Sequence, residues 1–208
     1  MAVFGDVQPE AMLAWCRREW ARLPDRQVTW PEALVAEPMN GVRNASRMLP
    51  KEQSVILFGF RGTRLPADDR YALDVLTTVL SGMSGRLFQA VREQHGLSYV
   101  LGASHVAGWD PGYIVVYAAT KPQERDRVLE TLHAQVNVLI EGGVSEEELI
   151  QAKRHLIGLH RLDLQSLSGL AKQAALDELY GLGFDAWAQY EARINAVTAA
   201  EVQTAAAR

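Results

Sequence analysis

A single cysteine, Cys16, rules out an internal disulfide, so nothing in this chain points to a disulfide framework. Cys16 falls on an apolar helical stripe, where a small buried hydrophobe is the ordinary reading. Charge of one sign is also scarce. The net charge is -4, which argues against a nucleic-acid partner gripped through its phosphates. No run approaches the 18 consecutive apolar residues that a membrane-spanning helix requires, and a soluble chain is expected. The opening Met1-Ala2-Val3-Phe4-Gly5-Asp6 lacks the basic start and long apolar stretch of a signal peptide. It reads as a strand running into a Gly-Asp turn, and so abrupt a start suggests a chain excised from something longer. Internal repeats, low-complexity tracts and charge blocks are missing too. The compartment is not legible from these features.

What is present suits a globular domain. Hydrophobic residues make up 48% and charged residues 22%. A chain of 208 residues folding as one domain buries roughly 70% of the surface that it exposes when unfolded. A strand is expected over residues 1–7. Pro9 then opens a helix with an apolar stripe of Met12, Leu13, Cys16, Trp20 and Leu23. Residues 24–52 hold four prolines and are the least regular part, with a strand expected within 41–49. Residues 53–61 read as a buried strand. Asp68 is placed to cap a helix whose inner side is Ala72, Val75, Leu76, Val79 and Leu80. The Ser81–Gly85 loop ends it. A second helix over about 85–95 turns Leu87, Phe88 and Val91 inward, with Gly96 as its left-handed cap.

Two apolar strands, 97–107 and 112–120, flank Trp109-Asp110-Pro111-Gly112, which is a hairpin signal. The rest is helical. A helix over about 122–141 ends at Gly142. Ser145 with Glu148 forms a capping box for a long helix carrying Leu149, Ala152, Leu156 and Leu159, with a break near Ser168-Gly169. Further helix runs to about 180 and again over 184–195. Thr198 with Glu201 caps the last one. Adjacent strands followed by long helices predict an α+β layered domain over residues 1–208.

The chemistry is sparse. Neither His-x-x-Glu-His nor His-Glu-x-x-His occurs. His155 and His160 are five apart, about 140° around a helix, which is poor geometry for sharing a metal. Phosphate loops, Cys-x-x-Cys pairs and Gly-x-Ser-x-Gly elbows are absent as well. The acidic run Glu146-Glu147-Glu148 is explained by a helix N-terminus, which favours negative charge. One segment stands out. Ser84-Gly85-Arg86-Leu87-Phe88 runs through Arg92-Glu93-Gln94-His95-Gly96-Leu97-Ser98-Tyr99, where a helix ends at a glycine and enters a strand. Arg92 on the last turn and Tyr99 at the strand start can both donate hydrogen bonds to the carbonyls of an extended peptide. Plain structural roles stay open for both: Arg92 beside the helix C-terminal dipole, Tyr99 packed on a sheet face.

This segment resembles the helix–Gly–strand signature of the pitrilysin, insulinase and mitochondrial-processing-peptidase family, whose arginine and tyrosine also stand seven apart. Val3-Phe4-Gly5-Asp6-Val7 with Pro9-Glu10 is similar to the start of that family's C-terminal domain. Gln53 before an apolar strand, Asp69 before a helix, Val144 through Lys153 in an acidic helix start, and Ile194 through Thr198 with Glu201-Val202 resemble later family motifs. The likeness runs along nearly the whole chain. It implies an αβ-roll: a mostly antiparallel sheet with helices packed on one face.

It also implies a non-catalytic half that holds peptide substrate through Arg92 and Tyr99. On the same resemblance, a homologous N-terminal domain or subunit would carry the zinc. This chain itself would have no catalytic residue, no metal ligand and no cofactor of its own, and would be inactive alone. The alternative within the same family is a member that has lost catalysis and serves as a scaffold or assembly subunit. The glycine-rich loop of the processing peptidase's non-catalytic subunit is missing, which weighs against a presequence-receptor role. No nucleic-acid or membrane partner is expected, and some self-association is.

Overall fold

Alternation over 113–120 sets the centre of the sheet. In a computed structural model, β3 (Tyr113–Thr120) lies between β1 (Ser54–Arg61) and β2 (Ser98–Val106) and runs antiparallel to both. The structure describes residues 1–24, 29, 32, 41–82, 84–93 and 98–208. At residues 92, 93, 98 and 99 it describes the backbone alone. Ile114, Val116 and Ala118 of β3 point into the core and are buried, while the intervening residues are half-buried or exposed.

Helices cover the buried face. The element order continues with α1 (Pro9–Trp20), α2 (Arg70–Leu80), α3 (Arg125–Gly142), α4 (Glu146–Asp163), α5 (Leu167–Leu179), α6 (Tyr190–Ala196) and α7 (Ala199–Ala207). α2 packs on β2, and α3 packs on β3 and β1. α4, α6 and α7 pack on α2 in turn. Leu73, Leu80, Leu87, Leu132, Leu139 and Ile194 are almost completely enclosed and belong to one apolar cluster. Burying each contributes about 1.5–3 kcal/mol. The five inward residues predicted on α2 are all buried. Both capping boxes form, with the Ser145 and Thr198 side chains each accepting from the N3 backbone amide.

Several expectations fail, each for a physical reason. Residues 1–7 and 41–49 join no ladder, and a lone extended segment without a paired neighbour gains little. The strand at 53–61 is one-sided rather than buried. Ile56 is enclosed, but Val55 and Leu57 on the opposite face are each 66% exposed. The α1 stripe is mostly uncovered: Cys16 is buried as expected, yet Leu13, Trp20 and Leu23 are exposed. Asp68 is not the cap of α2. Asp69 takes the N-cap position, and its side chain is drawn away by the Thr63 hydroxyl at 2.7 Å and by Arg208. α3 ends at Gly142 as expected, with Gly143 as its cap, whereas the later break falls at residues 164–166, with Ser166 capping α5. The helix predicted over 85–95 is a π-helical segment, Phe88–Glu93. Gly96, its predicted cap, lies outside the described residues. Among the described residues, no helix is long and apolar enough to cross a membrane.

Candidate functional site

The site is built from the loop that leaves α2. Arg86 anchors it. Its guanidinium forms a two-pronged ion pair with Glu148, Nε donating to Oε1 at 2.6 Å and Nη2 to Oε2 at 2.8 Å. Nη2 also donates to the Gly143 carbonyl at 2.8 Å. One side chain thus ties the loop after α2 to the end of α3 and the start of α4. The hydrogen bonds from Arg86, joined by those from Ser145, hold the Glu148 carboxyl down at about 2, against a partial burial that pushes it up. Gly143 takes φ 66° and ψ -151°, a region essentially reserved for glycine, and this aims its carbonyl at Arg86.

From Arg86 the chain enters the π-helical segment. Leu87, Ala90 and Val91 are buried and fix it against the core. The segment contacts both β2 and α3. A π turn widens the helical register, and such turns recur at functional sites because they re-aim one residue. Arg92 is the residue after the buried Val91 and ends this segment but for Glu93.

The second irregularity is on β2. Ser98 pairs with Thr120 and Val100 with Ala119, so β2 advances two residues while β3 advances one. Tyr99 is the extra residue of this β-bulge. Bulges bend a strand and redirect a side chain, and they are common beside active sites. Both sequence-predicted positions therefore lie on backbone that departs from regular geometry, at the corner where the π-helical segment contacts β2. The segment between them, residues 94–97, lies outside the described residues.

The sheet face away from the helices spreads from this corner. Val55, Ala119 and Val100 lie side by side across it, then Leu57, Tyr117 and Gly102. A Cβ at Gly102 would meet the Tyr117 hydroxyl at 2.9 Å, so only glycine lets the ring lie across β2. This face is apolar and open, with Val55, Leu57, Val100, Val106 and Tyr113 all exposed.

Three of the five histidines make structural contacts. His160 Nε2 meets the Trp187 carbonyl at 3.0 Å, and its ring stacks on Tyr190. His133 packs on Phe58, and His105 Nδ1 pairs with Asp74 at 2.8 Å. His95 lies outside the described residues. Among the described residues, no three imidazole, thiolate or carboxylate groups come together as a metal site, so these side chains do not fit a zinc ion. The Arg86 hub was missed by sequence reasoning. Its partner lies 62 residues away, and the acid run containing Glu148 already had a local explanation.

Comparison with known proteins agrees with this architecture. The family profile described as the Peptidase M16 inactive domain matches residues 1–156. An uncharacterized zinc protease of Bacillus subtilis, YmxG, is 32% identical over 135 residues, which is 64% of this chain and 33% of that protein. An uncharacterized zinc protease of Mycobacterium leprae is 30% identical over 185 residues, 87% of this chain and 42% of that protein. The chain thus spans well under half the length of these relatives. A crystal structure of a Helicobacter pylori protease superposes with a TM-score of 0.81 at 18% identity, covering 97% of this chain and 50% of that one. The M16 inactive domain from Pseudomonas fluorescens gives 0.70 at 20% identity, over 76% of this chain and 38% of that one. With an antiparallel sheet backed by helices and a profile match over three-quarters of its length, this chain belongs to the M16 peptidase family, in its inactive domain.

Proposed function

We propose that this chain is the peptide-binding, non-catalytic half of a zinc metallopeptidase. Arg92 and Tyr99 donate hydrogen bonds to the backbone of an extended substrate that faces a zinc site on another domain or chain. The observation that supports this reading is that both positions fall on irregular backbone: Arg92 near the end of a π-helical segment and Tyr99 at the bulge of β2. The naming of its relatives as zinc proteases supports a metal in the partner half, where it would polarise the scissile carbonyl. The open apolar sheet face supports an extended peptide as ligand, since alternate side chains of a strand need such a surface. Preorganised donors of this type stabilise charge that develops on the substrate.

Peptide affinity tests the reading. The assembled halves, stripped of zinc, are titrated with a fluorescent unfolded peptide. Arg92→Ala weakens binding by about tenfold, the worth of one charge-assisted hydrogen bond. Unchanged affinity in both Arg92→Ala and Tyr99→Phe would remove the proposed role.

A further inference from the structure

Helix α1 is amphipathic and lacks a surface to lie on. It makes no extended packing with any other described element of its own chain. Cys16 is buried, but Leu13, Trp15 and Trp20 around it, and Leu23 just beyond the helix, are each 45–65% exposed. Apolar side chains grouped in this way mark an interaction surface. A separate open cleft of about 600 Å³ lies where the end of β1 meets α2, α3 and α7. Buried Leu80, Val116 and Leu139 form its floor, and Ile140, Ala205 and Ala206 stand half-buried or exposed at its rim. Among the described residues, none from α1 lines this cleft, and its only charges are Arg61 and Arg208. Arg208 pairs with Asp69, whereas Arg61 is exposed and has no acidic partner among the described residues.

The α1 segment complements this cleft in polarity and in charge. Its apolar stripe suits the floor. Asp6 and Glu10 at its start are exposed and have no ion pair among the described residues, so they supply the acid that Arg61 lacks. Of the basic residues further along, Arg18 and Arg22 are already held by Glu19. The area is sufficient as well. The four exposed apolar side chains leave on the order of 400 Å² uncovered. A reciprocal exchange covers two such helices and two clefts, on the order of 1,200 Å² in all, which is the lower end of a stable interface. We propose that α1 of one copy docks in this cleft of a second copy, which returns its own α1, so that the chain forms a two-fold swapped dimer. A two-fold exchange satisfies both helices and both clefts and goes no further than two copies. The inference does not rest on the peptide-binding reading of Arg92 and Tyr99.

The test uses the full chain in a Val55→Lys, Leu57→Lys background, which takes the open sheet face out of play. Sedimentation is expected to show a dimer. Leu13→Lys with Trp20→Lys on the helix, or Ile140→Lys at the cleft rim, is expected to weaken it by about tenfold or more. All three side chains are exposed in the single chain, so these changes leave its core untouched. Mixing the helix variant with the cleft variant is expected to recover association, because an intact helix then meets an intact cleft. A photo-cross-linker in place of Leu13, in a mixture of heavy- and light-isotope chains, locates the contact by mass spectrometry. Cross-links from one chain to residues 136–140 or 205–208 of another are expected. A monomer at every concentration, a dimer that the variants leave intact, no recovery on mixing, or cross-links confined to one chain or lying elsewhere would each overturn the proposal.

Discussion

Replacing Glu148 with glutamine removes one charge from the joint that holds the π-helical segment. Glutamine still serves a capping box, so the change isolates the ion pair with Arg86. A carboxyl held at about 2 instead of its ordinary 4.5 corresponds to roughly 3 kcal/mol. The Glu148 side chain is 30% exposed, and solvent screening reduces this to about 1–2 kcal/mol. Arg86 is only 16% exposed and its Nη1 already lacks a partner among the described residues, so no alternative partner is at hand there. The sign follows from the lowered value. A carboxyl whose folded value lies below its unfolded one stabilises the fold above the unfolded value, and that stability is lost as pH falls toward the folded one. Urea unfolding of both proteins from pH 7 down to about pH 2 tests this. The wild type is expected to be more stable by about 1–2 kcal/mol at pH 7, with the gap closing between 4.5 and about 2. A gap of constant size across that range, or none at neutral pH, would refute the reasoning.

Two further predictions concern backbone and surface. Gly143→Ala places a Cβ where glycine alone is comfortable and 3.4 Å from the Gln203 side chain; a loss of about 1–3 kcal/mol is expected in thermal unfolding. The open sheet face predicts concentration-dependent association of this chain. Light scattering is expected to show it in the wild type and to show less in a Val55→Lys, Leu57→Lys double variant; a monodisperse wild type at high concentration would count against it.

Local signals were the legible ones. Both capping boxes, the α2 core side and the 98–120 hairpin rest on spacings of a few residues, and all appear in the structure. Coverage was not legible. The run Val55-Ile56-Leu57-Phe58 reads as buried on both sides, because an apolar run cannot report whether a second layer lies over it. The α1 stripe misled in the same way. At the candidate site, the seven-residue interval between Arg92 and Tyr99 was visible in sequence, whereas the π turn and the bulge that position them were not. Both arise from register against neighbouring elements rather than from composition. The Arg86–Glu148 contact joins residues far apart in the chain, and no short-range pattern marks it.

Peptide turnover by the complete parent protein, with this half intact or altered, tests the proposed peptidase role most directly. Arg92→Ala and Tyr99→Phe are each expected to lower kcat/KM for an unfolded peptide by about a hundredfold or more, the typical cost of removing one transition-state donor, while the unfolding midpoint stays in place. Unchanged turnover in both variants would contradict the assignment of this corner to substrate.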